Sequence, residues 1–447
     1  MKTLTVNLSR LLLSAVLIVS GFVKAVDPRG TQYKLEDYAG ALGVGVTLPG
    51  TAALLLAVAL AAVEFCLGVL ILFAIRRRAV SRLVLVMFVL MTPLTLWLAI
   101  ANPIADCGCF GDAIILTNWQ TFAKNVVLLI AATVVALWPT RMVRFISQSN
   151  QWIVIHYSIL FIIAVAGWSL YDLPHFDFRP YHIGASIREG MTMPDDAPQP
   201  QYETTFILEK DGRTREFTLD DYPDSTWTFV DARTTLVSEG YVPPIHDFSI
   251  VTADGDDITA DVLADTAYTF LLVAPQLKEA DDAHLDILNE LYEYARHHDY
   301  PFYCLTASPD SDIDSWQDTT GAEYPFCRTD ETTLKTMIRS NPGLMLIKDG
   351  TVIRKWSHNS LPVIGAEQWA TPLHQLEEGH IPHDSATAKV LRLVLWFALP
   401  LLLLTIADRL WAWSRWLRRK PRKSQESQQP HVTHNTHNTH NNPQHPQ

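Results

Sequence analysis

The chain has 447 residues, a formal net charge of −12 and 48% hydrophobic residues, and the hydrophobic residues are concentrated in blocks. Residues 174–385 contain 38 acidic and 14 basic residues, whereas the rest of the chain is net basic. This length allows two or three domains. The acidic segment lacks the basic surface that nucleic-acid binding requires, so we expect no nucleic-acid partner.

Six apolar segments approach the roughly 20 residues that a helix needs to cross a bilayer. The first is short, with Lys2 before it and Arg10 near its start, as in a secretory signal peptide, but no small-x-small cleavage site follows it. We therefore predict a multi-pass protein in contact with membrane lipid. The predicted spans cover residues 8–23, 51–75, 83–100, 122–138, 152–170 and 390–406.

Basic residues cluster after spans two, four and six, and such clusters mark the cytoplasmic side of a membrane. With both termini in the cytoplasm, all three clusters face inward, and residues 174–385 lie outside the cytoplasm. The predicted location is the inner membrane of the cell, with a periplasmic domain. The clusters are Arg76, Arg77, Arg78 and Arg82, then Arg141 and Arg144, then Arg415, Arg418, Arg419, Lys420, Arg422 and Lys423.

Span two contains Glu64, whose carboxylate is costly at membrane depth: insertion scales give about 2.5–3.5 kcal/mol for an Asp at the centre of a helix. Lys24, near the outer end of span one, is the nearest cation, so we predict a membrane ion pair between the two. A neutral Glu64 that only packs is the alternative. Gly68 lies four residues further on the same helix face, where it would let a neighbouring helix approach.

Two of the five cysteines, Cys107 and Cys109, lie in the loop between spans three and four. A disulfide across one residue departs from relaxed geometry and should be readily reduced, and Gly108 supplies the required backbone freedom. We predict a redox pair at the outer face that exchanges electrons with a protein thiol or a quinone. The alternatives are two small thiols in a tight loop, or a family remnant. A metal site is not predicted, because it would need more ligands.

The remaining cysteines are expected to be structural. Cys66 lies inside span two and is interpreted as a small packing residue. Cys304 and Cys327 are expected to be buried free thiols, with a structural disulfide or a substitute redox pair as the alternatives.

The segment from residue 174 to 385 has the composition of a soluble domain. Residues 194–200 indicate a linker, and Asp211-Gly212 predicts a hairpin. After Pro243-Pro244 the pattern is β, α, β, α, β, α, β, β. The predicted elements are strand 268–274, helix 280–297, strand 302–305, helix 310–319 with Ser308 as a cap, helix 332–339, and a hairpin of strands 343–348 and 351–356.

The membrane part resembles the DoxX-like/MauE-like family, MauE being a membrane protein of methylamine utilisation. The residues that carry this resemblance are Gly21, Lys24, Asp27-Pro28, Glu64 with Gly68, Cys107-Gly108-Cys109-Phe110-Gly111 and Lys124-Asn125. The resemblance implies a four-helix membrane bundle, loosely similar to quinone-linked disulfide-generating proteins. It also implies a role in redox chemistry or in the maturation of a membrane or envelope protein.

The soluble part resembles a thioredoxin-fold domain of the redoxin type, on the basis of Pro243–Phe248, Asp254-Gly255 and Asn341-Pro342. The resemblance places Pro342 where this fold carries its cis-proline. The sequence departs from the family where the Cys-x-x-Cys pair should open a helix, because it reads Pro275-Gln276-Leu277-Lys278 there. Without a thiol at that position, we do not expect ordinary dithiol exchange by this domain.

The predicted fold class is therefore an α-helical membrane bundle, a four-helix DoxX/MauE-like core plus two further spans, with an α/β thioredoxin-like extracytoplasmic domain. The expected function is thiol-disulfide redox or maturation of an envelope protein through Cys107 and Cys109. A non-catalytic protein-binding module and a transporter centred on Glu64 and Lys24 are the alternatives. The predicted divisions are residues 1–145, the fifth span in 146–173, the soluble domain 174–385 (core about 243–360), the sixth span in 386–411, and a disordered His-rich tail 412–447.

Overall fold

The computed structural model describes residues 1–41, 49–103, 108, 110–199, 201–210, 212–224, 226–238, 240–383 and 386–419. Most of the predicted tail, from residue 420 onward, lies outside the described residues.

Among the described residues, six helices are long and apolar enough to cross a membrane, which confirms the predicted number of spans. An additional helix of 14 residues, α2, follows the first span directly. Pro28 occupies its first position, where a missing N–H costs nothing. The helices of this part are α1 (Lys2–Val26), α2 (Pro28–Ala41), α3 (Gly50–Leu72), α4 (Arg77–Ala101), α5 (Asn118–Leu137) and α6 (Gln151–Tyr171).

The α1 and α3 helices form the tightest contact of the bundle, and they run antiparallel. A Cβ added to Gly21 would lie 2.4 Å from the backbone nitrogen of Phe65, and one added to Gly68 would lie 2.8 Å from that of Ile18. Glycine therefore permits a backbone approach that a side chain would prevent. One apolar cluster joins α1, α3, α4 and α5 into a four-helix core.

A second apolar cluster attaches α6 and the last helix, α12 (Ala386–Arg419), to α1 and α3. Phe397 of α12 packs against Phe65 and Phe161, with ring centroids 5.1 and 4.6 Å apart. The bundle is therefore a four-helix core with two further spans, as predicted.

The soluble part is built around a six-stranded mixed sheet in the order β4-β7-β6-β5-β8-β9. The central strand β5 is buried at every position, as expected for a strand covered on both faces. It pairs parallel to β6 and antiparallel to β8. The elements are α7 (Ile187–Met191), β4 (Val251–Thr252), α8 (Thr259–Ala264), β5 (Tyr268–Val273), α9 (Leu285–His297), β6 (Phe302–Thr306), α10 (Asp310–Thr320), β7 (Phe326–Arg328), α11 (Glu331–Met337), β8 (Gly343–Lys348) and β9 (Thr351–Ser357).

Helices cover both faces of this sheet. Side chains of α9 and α10 enter one apolar layer, and those of α8 and α11 enter the other. The peptide bond before Pro342 is cis and directly precedes β8. This arrangement confirms the predicted α/β domain, and the cis-proline lies where the thioredoxin-fold resemblance places it.

A separate three-stranded sheet with the order β2-β1-β3 precedes the central sheet. Its strands are β1 (Gln201–Lys210), β2 (Arg213–Phe217) and β3 (Thr228–Ser238). The hairpin around Gly212 was predicted, whereas β3 was missed, as were β4 and α8. Charged and threonine residues in β3 leave it without the apolar alternation that marks a strand.

Two local predictions in the soluble domain are wrong. The α9 helix begins at Leu285 rather than at residue 280, because the preceding residues form a separate turn. Ser308 does not cap α10, whose N-cap is Pro309. The Ser308 hydroxyl instead accepts a hydrogen bond from the Leu277 backbone at 2.8 Å, and thereby holds that turn.

Cys304 and Cys327 are free and buried, as predicted. They lie on neighbouring strands but in opposite apolar layers, so their thiols do not face each other. Burial raises the pKa of both thiols, and that of Cys327 to about 11. Both cysteines are therefore inert packing residues at neutral pH.

Replacing Gly21 by valine should destabilise the bundle by about 1–3 kcal/mol, because the added atoms overlap the α3 backbone. Thermal unfolding of the purified full-length protein in detergent measures the change. Gly167, in α6, is the matched control, since a Cβ there meets no atom within 4 Å. Equal losses for Gly21→Val and Gly167→Val would contradict the tight α1–α3 contact.

Candidate functional site

A buried polar cluster lies between α1 and α3, at the last two turns of α1. Lys24 Nζ donates to Glu64 Oε2 at 2.8 Å and to Ser20 Oγ at 2.7 Å. Ser20 Oγ in turn donates to the same Glu64 oxygen at 2.7 Å. Both charged side chains are less than one-tenth exposed. The glycine contacts of α1 with α3 bring the predicted pair within hydrogen-bond distance.

The loop between α4 and α5 rests on the same end of the bundle. Gly108 has a positive φ of 62°, and a Cβ there would lie 3.2 Å from Lys34 of α2. Gly111 is packed in the same way against Val23 of α1, at 3.2 Å. Lys124 of α5 lies over the Phe110 ring, 4.5 Å from its centroid. Cys107 and Cys109 lie outside the described residues, so the predicted redox pair stays a prediction.

Arg339 of the soluble domain reaches the end of α1. Its guanidinium contacts Asp27 Oδ2 at 2.9 Å and approaches Asp112 at 3.7 Å. It also lies over the Tyr33 ring of α2, 5.4 Å from the centroid. We call the end of the bundle formed by Asp27, α2 and Gly108 the docking end. Arg339 is the charged contact that holds the soluble domain on it.

The pKa values of the two carboxyl groups beside Arg339 are shifted in opposite directions. Burial would raise the pKa of Asp27, but the charges of Arg339 and Arg179 outweigh burial and lower it. Burial raises the pKa of Asp112, and the charge of Arg339 does not fully offset it. Asp27 is thus the firmly ionised partner of Arg339, and Asp112 is the weaker one.

A second contact fixes the soluble domain to the end of α6. Asp172 Oδ1 accepts hydrogen bonds from Ser357 Oγ at 2.8 Å and from Ser360 Oγ at 2.7 Å. Asn359 donates to the carbonyl of Tyr171 at 2.7 Å. With Arg339, these contacts dock the domain at two separate points, which restricts its rotation on the bundle.

A cavity of about 580 Å³ lies between the bundle and the soluble domain. We call it the interdomain cavity. On the bundle side it is lined by Val23, Asp27, Tyr33, Lys34, Gly108 and Asp112, and on the domain side by Phe178, Arg179, His182, Lys335 and Arg339. Because Gly108 lines it, the cavity lies at the residue between the two predicted redox cysteines.

The thioredoxin-type edge next to Pro342 is closed by the domain's own backbone. The Asp281 N–H donates to the carbonyl of Asn341 at 3.0 Å, and the Asn341 side chain donates to the carbonyl of Gln276 at 2.8 Å. Gln276, where the fold would carry a thiol, donates to Glu331 at 2.7 Å. Because α9 begins only at Leu285, Asp281 lies before the helix, where its N–H can bond to Asn341. The domain thus lacks both the thiol and a free edge beside Pro342.

Sequence reasoning missed Arg339 and Asp27 as a pair, although Asp27-Pro28 was noted. They are 312 residues apart, and neither stands in a distinctive pattern. One signal was present in the sequence. Arg339 is one of only 14 basic residues in the acidic segment, and it stands two residues before Asn341-Pro342.

Residues 2–139 match the family model of the methylamine utilisation protein MauE. This match confirms the predicted MauE resemblance and covers α1 to α5, including the docking end, Glu64 and the Cys107–Cys109 loop. The resemblance to DoxX stays a prediction.

Two further proteins or families are similar to parts of the chain. Residues 202–239, a range that includes most of the three-stranded sheet, match a family described as a domain of unknown function (DUF8463). A solution structure of a "putative protein disulfide isomerase" from Bacteroides thetaiotaomicron is similar at 17% identity and a TM-score of 0.22, covering 30% of this chain and 86% of that chain. A search of curated proteins finds no match.

Replacing Glu64 by glutamine should leave the Lys24 ammonium without a counter-charge, at a cost of about 3–5 kcal/mol. Lys24→Met should have a similar cost. If the two side chains form a pair, the double variant should lose less stability than the two single variants together. Thermal unfolding of all four proteins gives this coupling, and strictly additive losses would show that the contact contributes no pairing energy.

Replacing Arg339 by glutamine should weaken docking by about 2 kcal/mol, because it removes charge-assisted hydrogen bonds to Asp27. Faster hydrogen–deuterium exchange in α2, with unchanged exchange in β5, is the expected result. Arg296→Gln is the control, since the ion pairs of Arg296, with Glu293 and Glu323, are exposed. If exchange in α2 responds equally to both variants, Arg339 does not hold the domain.

Proposed function

We propose that the protein carries out thiol-disulfide redox chemistry at the membrane, through Cys107 and Cys109, during maturation of an envelope protein. The single observation that carries this proposal is the position of Gly108, which lines the interdomain cavity. The match to MauE over residues 2–139 supports a membrane-embedded role for this part of the chain.

The proposed reaction has two steps, reduction of the Cys107–Cys109 disulfide by a partner and its reoxidation by an acceptor. A Cys107–Cys109 disulfide accepts two electrons and two protons from a partner dithiol, so that the partner gains a disulfide and the pair becomes two thiols. To act again, the pair gives two electrons and two protons to an acceptor, for which a membrane quinone is the candidate class. Strain in a disulfide across one residue would favour the first step.

The soluble domain has a supporting part in this proposal. Its edge next to Pro342 lacks a thiol and is closed by Asp281, so it cannot itself exchange electrons through a Cys-x-x-Cys pair. The domain instead forms one wall of the interdomain cavity, where it can restrict which polypeptide reaches the loop at Gly108. In the non-catalytic alternative, this wall is a docking surface for another protein, and Cys107 and Cys109 carry out no redox chemistry.

Charge supports an orientation for this reaction. The arginines between α3 and α4 lie at the end of the bundle opposite to the docking end, because α1 and α3 run antiparallel. Basic residues remain on the cytoplasmic side. We therefore place the docking end and residues 174–385 outside the cytoplasm, where disulfides can persist.

Differential thiol trapping in intact cells tests the proposal. We expect Cys107 and Cys109 to be partly oxidised, and expect Cys107→Ser or Cys109→Ser to trap a mixed disulfide that mass spectrometry identifies. Cys66→Ala is the control, since Cys66 lies inside α3 and should leave the trapped species unchanged. If both thiols stay fully reduced and the double serine variant restores a deletion strain, the docking role replaces the redox role.

A further inference from the structure

The turn between α3 and α4 holds an unusual backbone. Ala74 and Arg76 both adopt the left-handed conformation, with φ of 54° and 40°. Neither residue is glycine, so each position costs free energy and persists only where surrounding contacts fix it. This turn carries Arg76, Arg77 and Arg78 in succession.

One of these arginines is anchored by the backbone of the neighbouring loop. Arg77 Nη1 donates to the carbonyls of Thr140 and Met142, at 2.7 and 2.8 Å. The same loop is held from the other side by Arg409 of α12, which donates to the carbonyls of Arg144 and Phe145. These bonds bring the α3–α4 turn and the loop after α5 together.

The result is a cavity of about 490 Å³ lined by Arg76, Arg77, Arg78, Ala79, Thr140 and Arg144. We call it the arginine cavity. No acidic side chain lines it, and within the described part of the chain none of its four guanidinium groups forms an ion pair. Four like charges held around one concave site repel one another unless an anion lies between them.

The surroundings place this cavity at a membrane surface. It lies where three spans end or begin, since α3 ends at Leu72, α4 begins at Arg77 and α5 ends at Leu137. Trp138 follows α5 immediately, and Lys2 of α1 lies over its ring. Tryptophan and lysine are typical of the headgroup level of a bilayer, so lipid phosphates are the anions closest at hand.

We propose that the arginine cavity binds the phosphate headgroup of an anionic phospholipid. Arginine suits this role because its planar group donates two parallel hydrogen bonds to phosphate oxygens. Basic pockets between membrane helices are known to hold such headgroups. The site is independent of the redox proposal, since it lies at the opposite end of the bundle from Gly108.

A binding measurement on the full-length protein tests this site. Native mass spectrometry in a neutral detergent compares phosphatidylglycerol with phosphatidylcholine of the same acyl chains. We expect one phosphatidylglycerol molecule to remain bound at concentrations where phosphatidylcholine does not. We also expect Arg78→Gln with Arg144→Gln to weaken this binding at least about tenfold, since each arginine near a membrane surface adds to the attraction.

A charge-matched variant separates a built site from general attraction. Arg82→Gln with Arg141→Gln also removes two positive charges at this end of the bundle, but neither residue lines the cavity. We expect this variant to keep binding within about twofold of the parent protein. Equal losses in the two double variants would overturn the proposal, because binding would then follow net charge alone.

Two further results decide between sources of phosphate and guard against misfolding. Inorganic phosphate should not displace the lipid at millimolar concentration, and if it competes fully, the cavity is a site for free phosphate and the lipid proposal is wrong. Arg144→Gln alone serves where the double variant fails to fold, because Arg144 lies in a loop and its side chain is exposed. Unchanged lipid binding in that folded variant also contradicts the proposal.

Discussion

The close approach of α1 to α3 is the constraint on which the rest of the structure depends. Gly21 and Gly68 let the two backbones meet, and this contact sets the position of everything at the end of α1. It brings Lys24 beside Glu64, so that two groups that would each be costly in a membrane neutralise one another. The same contact fixes Asp27, three residues beyond Lys24, where Arg339 can reach it. A bundle with a wider α1–α3 spacing would lose both the buried pair and the docking contact.

Docking has a consequence for the soluble domain. Arg339 lies two residues before the cis peptide at Pro342, so the segment that carries the contact leads directly into the thioredoxin-type edge. In this chain that edge is filled by Gln276, Asn341 and Asp281, which bond to one another. The domain therefore has polar contacts and no thiol at this edge of its sheet. The bundle holds the domain through neighbouring residues of the same segment, which suits a fixed wall better than a mobile carrier of electrons.

Sequence reasoning reached those features that depend on local pattern. Apolar length predicted the six spans, and the run from Tyr268 predicted the central strand, because both signals lie within one segment. It failed where distant residues decide the outcome. Helix α9 begins five residues later than predicted because Ser308 and Asn341 hold the segment before it. The interdomain cavity could not be predicted, since its walls come from α1, α2, Gly108 and α11.

Charge links the two ends of the bundle. The acidic domain docks at one end through Arg339, one of its few basic residues. The arginine cavity at the other end is lined by four arginines. An acidic domain near an anionic membrane surface is repelled by it, and a cluster of arginines is attracted to it. Repulsion of the acidic domain and attraction of the arginines therefore favour the same orientation. In it, the arginine cavity faces the more anionic leaflet and the acidic domain lies on the other side of the membrane. In the proposed orientation the arginine cavity faces the cytoplasmic leaflet, and Gly108 then lies on the outer side of the membrane, where disulfides can persist.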